Sequence, residues 1–184
     1  KVEWSYEGPK SLSETFYPKE NKFDDFDDQK LPMYMVFWGT PAKDCWKIED
    51  SCLKLKCIRQ RLDDDLEQMK MDGILADDKY VAFVSRRQCA MDAVIKAAVK
   101  FYPEGQESAG IAAVQAMNHQ IHIERACEDG KQVVRVVVIT ADYIQPPYFP
   151  GFTSTTNREI ICSEAYDKSE IILQLDMQHE DFCI

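Results

Sequence analysis

The chain has 184 residues, 45% of them apolar and 29% charged, which is ordinary globular usage for one domain. Its net charge of −10 comes from 32 acidic and 22 basic residues. That balance argues against a nucleic-acid or anionic-membrane surface, which needs clustered Lys and Arg, and it suits a basic partner. No apolar run approaches the roughly 20 residues of a membrane span, so no membrane insertion is expected.

Residues 1–32 read as an irregular arm packed on the domain, because prolines punctuate them while six aromatic rings are interleaved with Ser, Lys, Asp and Glu. The acidic cluster Asp24–Asp28 lacks the Gly and the closing Glu of an EF-hand loop and reads as a solvated loop. Residues 33–184 form the single predicted domain. Met33–Trp38 is short, apolar and aromatic, as a buried strand is. Over Leu53–Met71 the apolar residues fall at helical spacing, while Leu53, Leu55 and Cys57 alternate with Lys54 and Lys56 as in a strand, which predicts a helix over the later part, with Asp63, Asp64 and Asp65 on its solvent side, and a strand or turn before it. Lys79–Val84 is a second strand. Met91, Val94, Ala98 and Phe101 make a helical stripe within Arg86–Tyr102, and the Ala-rich Ser108–Asn118 predicts another short helix.

His119–Thr140 carries the clearest signal. Asp129-Gly130 suits a two-residue turn with positive φ at both positions, between two β-rich arms. That turn would set Glu124 opposite Arg135, Ile123 opposite Val136 and Ile121 opposite Val138. The returning arm is apolar on both faces apart from Arg135, so it reads as a central strand, with the first arm nearer an edge. Tyr143–Phe152 is rich in proline. Glu159–Cys162 is a short strand, and Glu170–Met177 is the strand expected to extend the hairpin. The predicted fold is α+β: an antiparallel sheet of four to six strands with two or three helices packed on it.

Seven cysteines are scattered along the chain, with no CxxC pair. They predict a disulfide-stabilised, secreted, extracellular protein, and the odd count leaves at least one thiol over, for an intermolecular disulfide or a free site. A start at Lys1 without Met fits a removed signal peptide or a trimmed chain equally. His119 and His122 lie three apart on a predicted strand and so face opposite ways, which without a bulge keeps them from sharing a metal. No GxSxG, HExxH or Gly-rich phosphate loop occurs, so no catalytic residue and no cofactor are expected. The leading expectation is a non-catalytic binding protein that recognises another protein. Its anchors would be Tyr148, Phe149 and Phe152 on a proline-stiffened loop. The alternative is a small-ligand carrier with an apolar pocket between sheet and helices.

Phe152-Thr153-Ser154-Thr155-Thr156, followed by the strand EIILQLDM, resembles the aromatic–Ser–Thr–Ser segment of toxin-like mono-ADP-ribosyltransferases. The resemblance implies an enzyme in which Arg135 binds NAD. Thr156 stands where that family has Ser, and no Glu-x-Glu turn follows to supply its catalytic carboxylate.

Overall fold

A computed structural model describes residues 23–64, 81–90, 92–143, 154–178 and 181–183. The strands among them, in chain order, are β1 (Val36–Phe37), β2 (Trp46–Glu49), β3 (Cys52–Leu55), β4 (Val84–Ser85), β5 (Ala93–Lys100), β6 (Ala109–Ala116), β7 (His119–Glu128), β8 (Lys131–Tyr143), β9 (Ser154–Ala165), β10 (Glu170–Gln178) and β11 (Asp181–Cys183). No helix occurs among the described residues. The α+β expectation is therefore overturned, and the molecule is built from packed antiparallel sheets.

The hairpin forms in the expected register. Asp129 and Gly130 take φ of 51° and 76°. Glu124 pairs with Arg135, Ile123 with Val136 and Ile121 with Val138. Both arms are interior strands, because the sheet order is β6-β7-β8-β9. Glu170–Met177 does not extend this sheet. Its strand β10 lies between β11 and β5 in a separate three-stranded sheet.

Two of the stretches expected to be helical, Arg86–Tyr102 and Ser108–Asn118, carry the strands β5 and β6 instead. Alanine favours helix locally, but an Ala-rich run also fits a strand when large residues face it from the neighbour. In β5, Ala93, Ala97 and Val99 pair with Met177, Leu173 and Ile171 of β10. The ladder satisfies the backbone that a helix would have satisfied internally. In β6 the decisive residue is Gly110. A Cβ there would sit 1.9 Å from the Ile123 carbonyl oxygen, so only glycine lets β6 lie against β7. Residues 61–64 are turns, not helix, and the rest of the predicted helix lies outside the described residues. Among the described residues of the two apolar runs read as strands, the strands are β1 and the start of β4, which pair with each other.

The core lies between the two larger sheets. Leu173, Leu175 and Met177 of β10 pack with Ile123 of β7. Ala93, Val99, Ile111, Ala113 and Ile121 close around them. Burying such side chains contributes roughly 1.5–3 kcal/mol each. At one end of the core Arg125 is fully buried. Its guanidinium stacks 4.8 Å from the Tyr166 ring centroid and donates to the Lys168 carbonyl and to Gln132. The expected disulfides are absent among the described side chains: Cys45, Cys52, Cys57, Cys89, Cys127 and Cys162 are free thiols. Among the described side chains, sheet packing rather than cross-links carries the fold.

Candidate functional site

Side chains alternate between the faces of a strand. With Ile121 and Ile123 turned to the core, Gln120, His122 and Glu124 occupy the other face of β7. Arg135 stands opposite Glu124 on β8. Across the next ladder, Ser163 faces Arg135 and Arg158 faces Ile139. Arg158 and Ser163 are five apart, an odd offset that would put them on opposite faces of a regular strand. A bulge joins them: successive residues Val136 and Val137 pair with Cys162 and Ile160, leaving Ile161 as the extra residue.

Glu124 is the hub. Its Oε1 accepts from Arg135 Nε at 2.8 Å and Arg158 Nη2 at 3.2 Å, and its Oε2 accepts from Ser108 Oγ at 2.9 Å. Arg135 also donates to Glu128 at 3.0 Å, and Ser163 Oγ donates to the same carboxylate at 2.9 Å. Arg158 reaches Asp63 at 3.1 Å, which Arg61 holds from the other side at 3.1 Å. The turn at residues 61–64 is thereby tied onto the sheet. Gln120 adds a second tie, donating its amide protons to Met117 O at 2.7 Å and Leu62 O at 3.2 Å. Its oxygen is left as an acceptor, so the His122 nitrogen 2.6 Å away, Nε2, carries the proton.

The electrostatics follow from these partners. Burial pushes Asp63 up, but Arg158 and Arg61 outweigh it and hold the carboxyl below its ordinary value. Hydrogen bonding from Arg135 lowers Glu128. Burial opposes the charge on Arg135, but its bonds to Glu128 and Glu124 prevail and raise it. His122 is lowered, chiefly by burial, and so is held neutral. Three guanidinium groups thus meet three carboxylates with their charges cancelled. Glu124 and His122 are buried, while Ser163 is open and Arg158 and Arg135 are partly so.

Sequence reasoning placed Arg135 opposite Glu124 but did not find Asp63, Ser108, Gln120 or Arg158. Asp63 was assigned to the solvent side of a helix, yet its side chain is 7% exposed and paired. The binding residues expected on sequence, Tyr148, Phe149 and Phe152, lie outside the described residues. His119 and His122 point to opposite faces of β7, and no group of three metal-ligating side chains occurs among the described residues.

Two face-packed antiparallel sheets, one presenting a polar network across three strands, define a β-sandwich domain. The family model described as the beta xylosidase C-terminal concanavalin A-like domain matches residues 23–181. The chain belongs to that family. No curated protein matches it. Membership overturns the expectation of a protein-recognising module, because the family accompanies glycoside hydrolases and points to carbohydrate. It equally displaces the carrier, whose pocket needed helices beside the sheet, and the ADP-ribosyltransferase likeness. Arg135, the residue assigned to NAD, is bound to Glu124 and Glu128.

Proposed function

We propose that this chain is a carbohydrate-binding domain working beside a β-xylosidase-type catalytic unit, and that the face bearing Glu124, Arg135, Arg158 and Ser163 contacts the sugar. The observation that carries this reading is the ladder of alternating donors and acceptors across β7, β8 and β9. A sugar hydroxyl both donates and accepts, so it is matched by a surface where carboxylates and guanidinium groups alternate at hydrogen-bond spacing. The cancelled charge favours neutral pentose or hexose units. Access is from β9, whose described side chains from Thr156 to Ala165 are exposed apart from the half-buried Arg158. An extracellular setting, where polysaccharide is met, is part of the proposal.

The test is calorimetric titration of the chain with neutral β-1,4-xylo-oligosaccharides, alongside Arg158→Ala with its fold checked by circular dichroism. Binding that weakens about tenfold in the variant, or about 1.4 kcal/mol, is expected. Absence of binding by the parent chain up to millimolar sugar refutes the proposal. Unchanged affinity in Arg158→Ala moves the sugar off this face.

A further inference from the structure

The turn at residues 61–64 is closed by its own bonds. Arg61 donates its N–H to Asp64 Oδ2 at 2.7 Å, and Asp64 returns its N–H to the Arg61 carbonyl at 3.3 Å. The Arg61 guanidinium also holds Asp63 at 3.1 Å. Among the described residues, two hydrogen bonds join this turn to the sheet. Arg158 Nη1 donates to Asp63 Oδ1 at 3.1 Å, and Gln120 Nε2 donates to the Leu62 carbonyl at 3.2 Å. Both are at the long end of the N–H···O range. The turn lies over the end of the polar face where Gln120 and His122 are buried, and the charges of Asp63 and Arg61 reach His122 there. The other end of the face, at Ser163, is open.

A buried polar contact resists opening because each partner is left alone. This one leaves none alone. If the turn lifts, Gln120 keeps the Met117 carbonyl at 2.7 Å and His122 at 2.6 Å. Arg158 keeps Glu124 at 3.2 Å, and Asp63 keeps Arg61. The N–H groups and the Leu62 carbonyl released by the move turn to solvent. The division therefore falls between two units that each satisfy their own polar groups, as an element with two arrangements requires.

Building on the carbohydrate reading of this face, we propose that the turn at residues 61–64 is a lid whose Asp63 occupies Arg158 in the place of a sugar hydroxyl, so that sugar binding and turn closure compete. The hydroxyl oxygen accepts from Arg158 Nη1 where Asp63 Oδ1 now does, and Asp63 leaves with Arg61. The apparent affinity is then the intrinsic one reduced by the fraction of chains whose turn is lifted.

The experiment titrates the full chain and Asp63→Ala with a neutral β-1,4-xylo-oligosaccharide, and follows hydrogen exchange over residues 58–64 by mass spectrometry. The substitution leaves the bonds between Arg61 and Asp64 that close the turn, and circular dichroism checks the fold. Asp63→Ala should bind tighter, by about tenfold if roughly one parent chain in ten is open. The gain should vanish when Arg158→Ala is added, since the two side chains act through one contact. The exchange measurement needs no variant: saturating sugar should speed exchange across the turn in the parent chain, whereas a purely structural turn would be unchanged or slowed. Affinity in Asp63→Ala equal to or below the parent's, or exchange that does not quicken on binding, overturns the lid and leaves the sugar face standing. A gain that persists beside Arg158→Ala overturns it too. No binding by either chain up to millimolar sugar removes the sugar face and the lid with it.

Discussion

The two faces of the β7–β8 ribbon show how one pair of strands serves two purposes. On one face Ile123 is buried and Ile121 is partly so, beneath the three-stranded sheet, and Val136, the partner of Ile123 across the ladder, is buried too. On the other, positions shifted by one residue carry Gln120, His122 and Glu124, which are also buried but polar. These side chains are withdrawn from water on both faces, yet they are stabilised differently. The apolar face gains from any close fit. The polar face is stable only while each group keeps its partner, since a buried polar group left alone costs more than its hydrogen bond contributes. The core face should therefore yield to loss of volume, and the polar face to loss of a single atom's hydrogen-bonding character.

The largest effect should come from the core. Leu175 is fully buried. Leu175→Ala removes its contacts and leaves a cavity, which should cost about 3 kcal/mol in urea unfolding. Ile172, on the same strand but 72% exposed, provides the control. Ile172→Ala should stay within about 0.5 kcal/mol. Similar losses at both positions would mean that β10 does not turn Leu175 inward.

The same comparison separates what could be read in the sequence from what could not. The hairpin was legible because its signals are local and agree: a turn dipeptide, alternating apolar residues, and charges that meet across the ladder. The Ala-rich segments were not, because small residues satisfy the spacing of a helix and of a strand alike. Their partners decide, and Leu173 lies about 75 residues from Ala97 along the chain. Gly110 was the one local hint that Ala109–Ala116 is a strand, since a close backbone approach asks for glycine there. Of the site, only Arg135 with Glu124 was visible, being part of the hairpin. Arg158 was hidden by the bulge at Ile161, which breaks the two-residue period just where that period is needed. Asp63 was hidden by its neighbours Asp64 and Asp65, a run that has the composition of a solvated surface.

An intermediate effect is expected at the hub of the polar face. Glu124→Gln keeps the shape and removes the charge that Arg135 and Arg158 share. Both arginines retain a second carboxylate, Glu128 and Asp63 respectively. The loss should therefore be about 2 kcal/mol, below that of a fully severed buried pair. Sugar binding should fall with it, whereas in Leu175→Ala binding should persist as long as the protein is folded. Denaturant midpoints and titrations on both variants would distinguish the faces. A Glu124→Gln protein as stable as the parent would show that the network contributes nothing to folding, and would leave ligand contact as the reason for its composition.

The smallest effect is the pH dependence of the polar face. His122 is lowered from 6.5 by burial, so the unfolded chain binds its proton first as pH falls. Its contribution is complete above pH 6.5 and declines as acidification proceeds through the lower folded value. Asp63 and Glu128 are also lowered, from 3.8 and 4.5, so their contributions hold above those values and are lost below them. All three groups make acid destabilising, in two windows: the histidine's first, the carboxylates' second. Thermal unfolding followed across pH should therefore show a shallow decline below pH 6.5 and a steeper one below about 4.5. His122→Gln should remove the first and leave the second, because a neutral side chain has no proton to gain. A first decline that persists in His122→Gln would assign it to another group and would leave the buried imidazole without a part in the acid response.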